Sequence, residues 1–302
     1  MTAIFQSFMR FVPPCSLESV TLYVDVRTPT TVGELLAWAV ERLASGAEPA
    51  REARRALALA TGRITLSANE KLSPFERGRF RRIVEARARG VPWPVLEEAT
   101  GFLDFEVLVP PGVFIPRPET EELAELAIRE FQKAPPYPRA LDIGTGTGVL
   151  AIALARARPD AEVWAVDVSA RALRAAQKNA ARLGVKIRVC YSDLFSKVQG
   201  KFHLIVANPP YVARDELSGL PKDVQGFDPR QALDGGKDGL ALASRIVDEA
   251  PNYLEPQGVL LLEIGPEQKE ALLALAKRRE WAETRVLSDL CGRPRFFLGR
   301  KC

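Results

Sequence analysis

The spacing of apolar residues changes character along the chain. From Thr31 to about Gly90 they recur every three to four positions, the period of helices with one buried face. Thr30 or Thr31 can cap a first helix running through Val32-Gly33-Glu34-Leu35-Leu36 to Leu43, and Glu34 stands at the capping-box position after Thr31. Pro49 opens a second helix with Ala53, Ala56, Leu57 and Ala60 on one face. Ser73-Pro74 opens a third, with Phe75, Phe80, Ile83 and Val84 apolar, and Gly90-Val91-Pro92-Trp93-Pro94 breaks it. Two β-rich runs, Phe102 to Val109 and Val113 to Ile115, flank Pro110-Pro111-Gly112 and predict a hairpin around that turn. An extended segment, Ile115-Pro116-Arg117-Pro118, then leads into a helix whose acidic start suits the helix dipole and which runs to about Lys133.

Beyond Pro135-Pro136-Tyr137-Pro138 short apolar runs alternate with helical periods. Strands are expected at 140–143, 162–166, 187–191, 203–207, 258–264, 283–287 and 294–299, with helices at 148–156, 170–183, 240–252 and 268–278. Such alternation implies a parallel, doubly wound sheet, and the last two strands, joined by a short turn, imply an antiparallel hairpin at its edge. The chain therefore divides into an extension (1–30) without a clear period and expected to be poorly ordered, a helical domain (31–98), a hairpin linker with its lead-in helix (99–134), and an α/β domain (135–302).

Composition narrows this picture only a little. The 302 residues carry 47% apolar and 26% charged residues, ordinary for a globular protein, with no apolar run near the ~20 residues of a membrane span. The first 17 residues lack acids but hold only Arg10 as a base, so a targeting peptide is not expected. The four cysteines (Cys15, Cys190, Cys291, Cys302) are scattered, which argues against a disulfide framework or zinc site and fits a reducing, cytoplasmic compartment. The lone histidine, His203, falls within a strand and is expected to serve the core or strand end. Net charge is +4. Arginines at 77, 79, 81, 82, 87 and 89 make the third helix strongly basic, either a solvated face or a surface for a ribonucleoprotein partner.

Candidate chemistry sits at four successive strand ends. Asp142-Ile143-Gly144-Thr145-Gly146-Thr147-Gly148 follows the first strand of the α/β domain and opens a helix. Glycines let a backbone turn sharply and approach a ligand, whether a dinucleotide or S-adenosylmethionine. Asp142 favours the second, because a carboxylate there repels a pyrophosphate but can meet an ammonium group, directly or through water; Asp142 or Asp193 could equally serve only as a helix cap. Asp167 ends the next strand, where an acid can accept both ribose hydroxyls. Asp193 and Leu194 end the third, where a carboxylate can accept from an adenine amino group beside apolar cover.

The fourth end is Asn208-Pro209-Pro210-Tyr211. The prolines lack N–H groups and cannot continue a ladder, and their fixed φ holds the local carbonyls. Asn208 adds an acceptor and Tyr211 a flat face. Two rigid acceptors and a platform suit a planar –NH2 group whose nitrogen must be aimed at an electrophile. The tip alone does not choose between an adenine amine and a glutamine amide.

Longer motifs bear on that choice. Pro111 to Leu123, Asp142 to Gly148, Asn208 to Tyr211, Asp228-Pro229-Arg230-Gln231-Ala232-Leu233-Asp234-Gly235-Gly236-Lys237-Asp238-Gly239-Leu240, and Leu262-Glu263-Ile264-Gly265-Pro266-Glu267-Gln268 together resemble the release-factor glutamine methyltransferases, the HemK/PrmC family, over roughly residues 31–300. The chain departs from the family in having aspartate at 228, where glutamate is usual, in Gly292-Arg293-Pro294-Arg295, where Asp-Arg is common, and in Leu194, where some members place an aromatic. The resemblance implies a Rossmann-like, seven-stranded class I methyltransferase sheet with a small N-terminal helical domain, for substrate recognition, joined by a β-hairpin. It implies S-adenosylmethionine bound by Asp142, Gly144, Thr145, Gly146, Thr147, Gly148, Asp167, Asp193, Leu194 and Asn208, and no metal. It implies methylation of the glutamine side-chain nitrogen in the Gly-Gly-Gln motif of a peptide-chain release factor. Asn208, Pro209 and Tyr211 would be catalytic, and Asn208, Pro209, Pro210 and Tyr211 would bind substrate. No membrane and no sequence-specific nucleic-acid partner is expected. Rival readings are a glutamine methyltransferase of a ribosomal protein, an adenine-directed nucleic-acid methyltransferase acting on a flipped or unpaired base, and a non-catalytic cofactor-binding factor.

Overall fold

The computed structural model describes residues 29–302, so the expectation of a poorly ordered extension over 1–30 lies, but for its last two residues, outside the described residues. The described chain forms two compact units, one ending at Glu85 and one running from Ala86 to Cys302. Helices α1 (Val32–Arg42), α2 (Pro49–Thr61) and most of α3 (Pro74–Ala88) make the first. The capping box at Thr31 and Glu34 is formed, and Glu34 also takes the Thr30 N–H. Leu35, Ala39, Ala53, Leu57, Phe80 and Ile83 fill the core of this unit, with Trp38 edge-on to Phe80 at 6.2 Å. Phe75, grouped with these from its spacing, is exposed instead. Part of the basic stretch serves this unit: Arg81 lies over the Trp38 ring and Arg79 donates to the Ala60 carbonyl.

The second unit begins with a short helix, α4 (Trp93–Glu97), formed just after the break at Gly90. The hairpin is not where the residue types put it. Strands β1 (Ala99–Phe102) and β2 (Phe105–Leu108) pair around Leu103-Asp104, with Leu103 at φ 51°. Pro110-Pro111-Gly112 instead turns the chain out of β2, because two prolines offer no N–H to a ladder. Val113 to Arg117 then runs extended into α5 (Pro118–Phe131), with Val113 and Ile115 still buried.

The sheet contains β3 (Arg139–Ile143), β4 (Glu162–Asp167), β5 (Arg188–Tyr191), β6 (Phe202–Ala207), β7 (Leu254–Glu263), β8 (Trp281–Ser288) and β9 (Pro294–Lys301). Their spatial order is β5-β4-β3-β6-β7-β9-β8, and only β9 runs against its neighbours. This is the seven-stranded, mostly parallel sheet that the resemblance implies. Helices α6 (Val149–Ala157), α7 (Ala170–Arg182), α9 (Ala241–Glu249) and α10 (Lys269–Ala276) cross between strands, and a short α8 (Lys222–Phe227) lies in the long connection after β6. Both sheet faces are covered. Ala140, Leu204 and Val206 face a core with α5 and α6, whereas Leu141, Ile205 and Ala207 face one with α9 and α10. That alternation is the period of two of a strand buried on both sides. Each large apolar side chain buried here stabilises the fold by roughly 1.5–3 kcal/mol.

His203 accepts the Arg139 N–H through Nδ1, at 3.2 Å, and so stitches β6 to β3. Strand order reverses between β3 and β6. A crevice opens at the carboxyl ends of adjacent strands at such a reversal, and ligands of open α/β sheets bind there. Among the described residues no helix is long and apolar enough to cross a membrane.

Candidate active site

A cavity of about 530 Å³ occupies that crevice. Its lining includes Gly144 to Thr147, Asp167, Asp193, Leu194 and all of Asn208 to Tyr211, whereas Asp142 and Gly148, also singled out by pattern, do not line it.

The loop after β3 is tied down from below. The Gly144 and Thr145 N–H groups both donate to the Val166 carbonyl, and the Gly146 N–H donates to Asp167 Oδ2 at 3.0 Å. Gly144 and Gly146 have φ of 71° and 56°, yet a Cβ on Gly144 would meet nothing within 4 Å, so these glycines answer to backbone conformation and leave the space above them open. Gly148 differs, because a Cβ there would stand 2.9 Å from the Ala176 Cβ; it lets α7 pack closely. Asn179, fully buried on α7, donates to the Thr147 carbonyl and pairs in both directions with the Leu108 backbone.

Asp142 is buried. Its Oδ2 accepts from the Thr145 hydroxyl at 2.6 Å and the Ala151 N–H at 3.1 Å, while Oδ1 is buried without a partner. Part of the helix-capping reading is thus realised, and one oxygen remains. Burial, reinforced by the charge of Asp167, pushes Asp142 up to about 7. Burial also raises Asp167, against hydrogen bonds from the backbone of Ser169 and Gly146. Asp167 has one protein donor on each oxygen, and lone pairs remain on both for hydroxyl groups.

At the end of β5, Asp193 stands on the rim with its side chain 58% exposed and hydrogen-bonded to Arg245 at 3.3 Å. Leu194 is buried at φ 46°, its carbonyl accepting the Ser192 hydroxyl. Tyr191, which pattern reading passed over, lines the cavity as an exposed ring.

The Asn208 tip is the best braced part of the site. Asn208 Nδ2 donates to Thr120 Oγ1 at 2.9 Å, which leaves Oδ1 as its free acceptor. Thr120 Oγ1 donates in turn to Glu263 Oε2, also at 2.9 Å. Behind the tip, Gln268 Nε2 donates to the Tyr211 carbonyl at 3.1 Å and the Gly239 carbonyl at 2.8 Å. A Cβ on Gly239 would lie 2.3 Å from the Tyr211 oxygen, and one on Gly235 2.8 Å from the Pro210 oxygen. The glycines of Asp234 to Leu240 are therefore the backing on which the tip rests.

A strap crosses beside it. Asp228 is buried, accepts the Ile115 N–H at 3.0 Å and pairs with Arg117, whose guanidinium also lies over Phe114. Burial raises Asp228 although Arg117 and the Ile115 N–H favour its charge. The shorter acid at 228 thus reaches both partners. Near the C-terminus, buried Asp289 accepts from Arg293 Nε at 2.9 Å, and Arg295 lies 5.7 Å from the Tyr211 ring centre. Burial, with the nearby charge of Glu263, pushes Tyr211 up to about 12, so its hydroxyl stays neutral. Among the described residues no cluster of His, Cys, Asp or Glu is placed to hold a metal ion.

Residues 104–219 match the methyltransferase small domain family. The release factor glutamine methyltransferase of Moorella thermoacetica is 38% identical over 89% of this chain and 98% of its own. That of Cereibacter sphaeroides is 39% identical over 87% of this chain and 95% of its own. A solved structure of the Thermus thermophilus 16S rRNA N2 G1207 methyltransferase, in complex with AdoMet and guanosine, is 23% identical over 68% of this chain and 50% of that one, with a TM-score of 0.49.

Proposed function

The chain belongs to the release factor glutamine methyltransferases, and from that premise we propose that Asn208 to Tyr211 hold the side-chain amide of the glutamine in a release factor's Gly-Gly-Gln motif. The activity is S-adenosylmethionine-dependent methylation of a glutamine side-chain nitrogen. The observation that carries the placement is the orientation of Asn208: one N–H of its Nδ2 goes to Thr120, which turns Oδ1 away from Thr120 as the group free to accept an amide N–H.

The cofactor's requirements fit the residues present. Asp142 Oδ1 is an unpaired buried acceptor able to meet an ammonium group, directly or through water. The open space over Gly144 and Gly146 admits a ligand against the backbone, and Asp167 keeps lone pairs for ribose hydroxyls. Tyr191, Leu194 and Ile246 provide apolar walls, and Asp193 a rim acceptor. When bound, S-adenosylmethionine supplies an activated methyl group and a neutral thioether leaving group.

The protein's part is positioning and charge. A carboxamide nitrogen is a poor nucleophile because its lone pair is delocalised. The Asn208 Oδ1 and the Pro209 carbonyl accept its two hydrogens, turning the nitrogen toward the methyl and stabilising positive charge as it builds there. Pro209 and Pro210 keep those acceptors from relaxing, and Tyr211 covers the amide plane. With the amide held by Asn208 and Pro209, the C–S bond of the donor would break as the new C–N bond formed, and the nitrogen would then release one proton to water. The flanking glycines of the target let its backbone enter a narrow mouth, and the helical unit and its basic α3 are assigned to recognising the partner.

The test offers labelled S-adenosylmethionine to the purified enzyme with a release factor, a ribosomal protein fraction and adenine-containing oligonucleotides in parallel. Label should appear on the release factor and vanish when its motif glutamine is replaced. Label only on the ribosomal proteins or only on the oligonucleotide overturns the substrate assignment. Cofactor binding with no label anywhere overturns the enzyme reading.

A further inference from the structure

The hydrogen bonds behind Asn208 have a direction, and the direction depends on charge. Thr120 is buried, and its hydroxyl has a single proton to give. It stands 2.9 Å from Asn208 Nδ2 on one side and 2.9 Å from Glu263 Oε2 on the other. An ionised carboxylate only accepts, so the hydroxyl proton points to Glu263 and the hydroxyl oxygen takes an N–H from Asn208. The amide's NH2 end is then committed to Thr120, and its oxygen end is turned away from it. A neutral Glu263 removes this constraint. Its O–H can donate to Thr120, the hydroxyl proton is released to point the other way, and Asn208 can meet it through Oδ1. The NH2 end of the amide would then be presented to a substrate that also offers N–H groups, donor against donor.

Resting on the reading that Asn208 accepts from the substrate amide, we propose that Glu263 is a positioning residue whose buried negative charge, relayed through Thr120, fixes which end of the Asn208 amide faces the substrate. The three residues come from separate segments, the start of α5, the end of β7 and the tip after β6, and none of the three hydrogen-bonding groups makes a sequence-local pair. Glu263 is 1% exposed. Burying a lone carboxylate is costly, and this one is held in part by groups that also serve the tip. The Thr120 hydrogen bond, the charge of Arg295 on β9 and, least, the nearby Asn208 NH2 group favour its ionised form, whereas Glu119 at the start of α5 opposes it. Tyr211, on the tip itself, stays neutral. Burial outweighs the favourable contacts and pushes Glu263 up to about 7. The ordered arrangement therefore holds above that pH and loosens below it. A fixed negative charge behind Asn208 also favours positive charge building on the substrate nitrogen.

The measurement is kcat and KM for the release factor from pH 5.5 to 9 at saturating cofactor, with cofactor Kd measured separately by calorimetry. Wild type should show kcat falling as pH drops through about 7. Glu263→Gln should lower kcat by roughly tenfold or more and flatten that limb, with cofactor Kd within about twofold of wild type. Thr120→Val should lose as much while keeping the carboxylate, and Thr120→Ser should restore most of the loss. Combining Thr120→Val with Glu263→Gln should cost no more than either alone, as expected for members of one relay. A Glu263→Gln enzyme with wild-type kcat and an intact limb overturns the proposal. So does a folded Thr120→Ser enzyme as impaired as Thr120→Val, which also decides the matter if Glu263→Gln does not fold. Failure of wild type to methylate the release factor would instead sink the substrate assignment, whatever the variants do.

Discussion

At the scale of single residues, the tip is a set of acceptors whose positions are fixed by groups far away in sequence. Removing Asn208 by Asn208→Ala should cut kcat by roughly 10²–10³-fold with cofactor Kd little changed, since one acceptor aimed at developing charge is lost; a large rise in Kd would show that Asn208 mainly holds the cofactor. Gln268→Ala leaves the Tyr211 and Gly239 carbonyls without their shared donor. It should cost about 1–3 kcal/mol in urea unfolding and lower turnover as well, because the tip loses its back support. What the sequence disclosed at this scale follows from physical range. Asp142, the glycines and Asp167 were legible because their chemistry is spelled out within a few positions of a strand end. Thr120, Gln268 and Asn179 were not, because each acts on a partner 88, 57 or 71 residues away and a hydrogen bond leaves no period in a sequence.

At the scale of elements, period was a good guide and residue type a poorer one. The helices with a clear apolar face, α1, α2 and α5, and the buried strands β3, β4 and β6 stand where their spacing places them. The hairpin was displaced because the Leu103-Asp104 turn has neither the glycine nor the asparagine that usually marks a left-handed position, whereas Pro-Pro-Gly nearby mimics a turn between strands. The same prolines begin the strap that reaches Arg117. Asp228 is the strap's anchor, so Asp228→Ala should expose the Ile115 amide to rapid hydrogen exchange and raise KM for the release factor several-fold. Unchanged protection at Ile115 would mean that the buried Val113 and Ile115 side chains hold the strap unaided.

At the scale of the molecule, two of the buried acids reach furthest into the neutral pH range. Asp142 and Glu263 are each pushed up to about 7 from ordinary carboxylate values. Their folded-state values exceed their unfolded ones, so the folded protein binds the extra protons. The stability this brings is present at low pH and is lost as pH rises through about 7. The apparent Tm should thus fall between about pH 4.5 and about pH 7.5 and level off above that, by calorimetry without cofactor, and replacing Asp142 with Asn should flatten the fall. The charged forms that the proposed mechanism calls on are then the ones the fold tolerates least. The order of the strands has a consequence of another kind. Strand β9 comes after β7 and β8 in the chain but lies between them in the sheet. A ribosome making this chain therefore produces β7 with a bare edge, lined by Leu260 to Leu262 and open along its unpaired backbone, until residues 294–301 follow. Nascent chains halted before Pro294 should collect on chaperones or in the insoluble fraction, whereas chains reaching Lys301 should not.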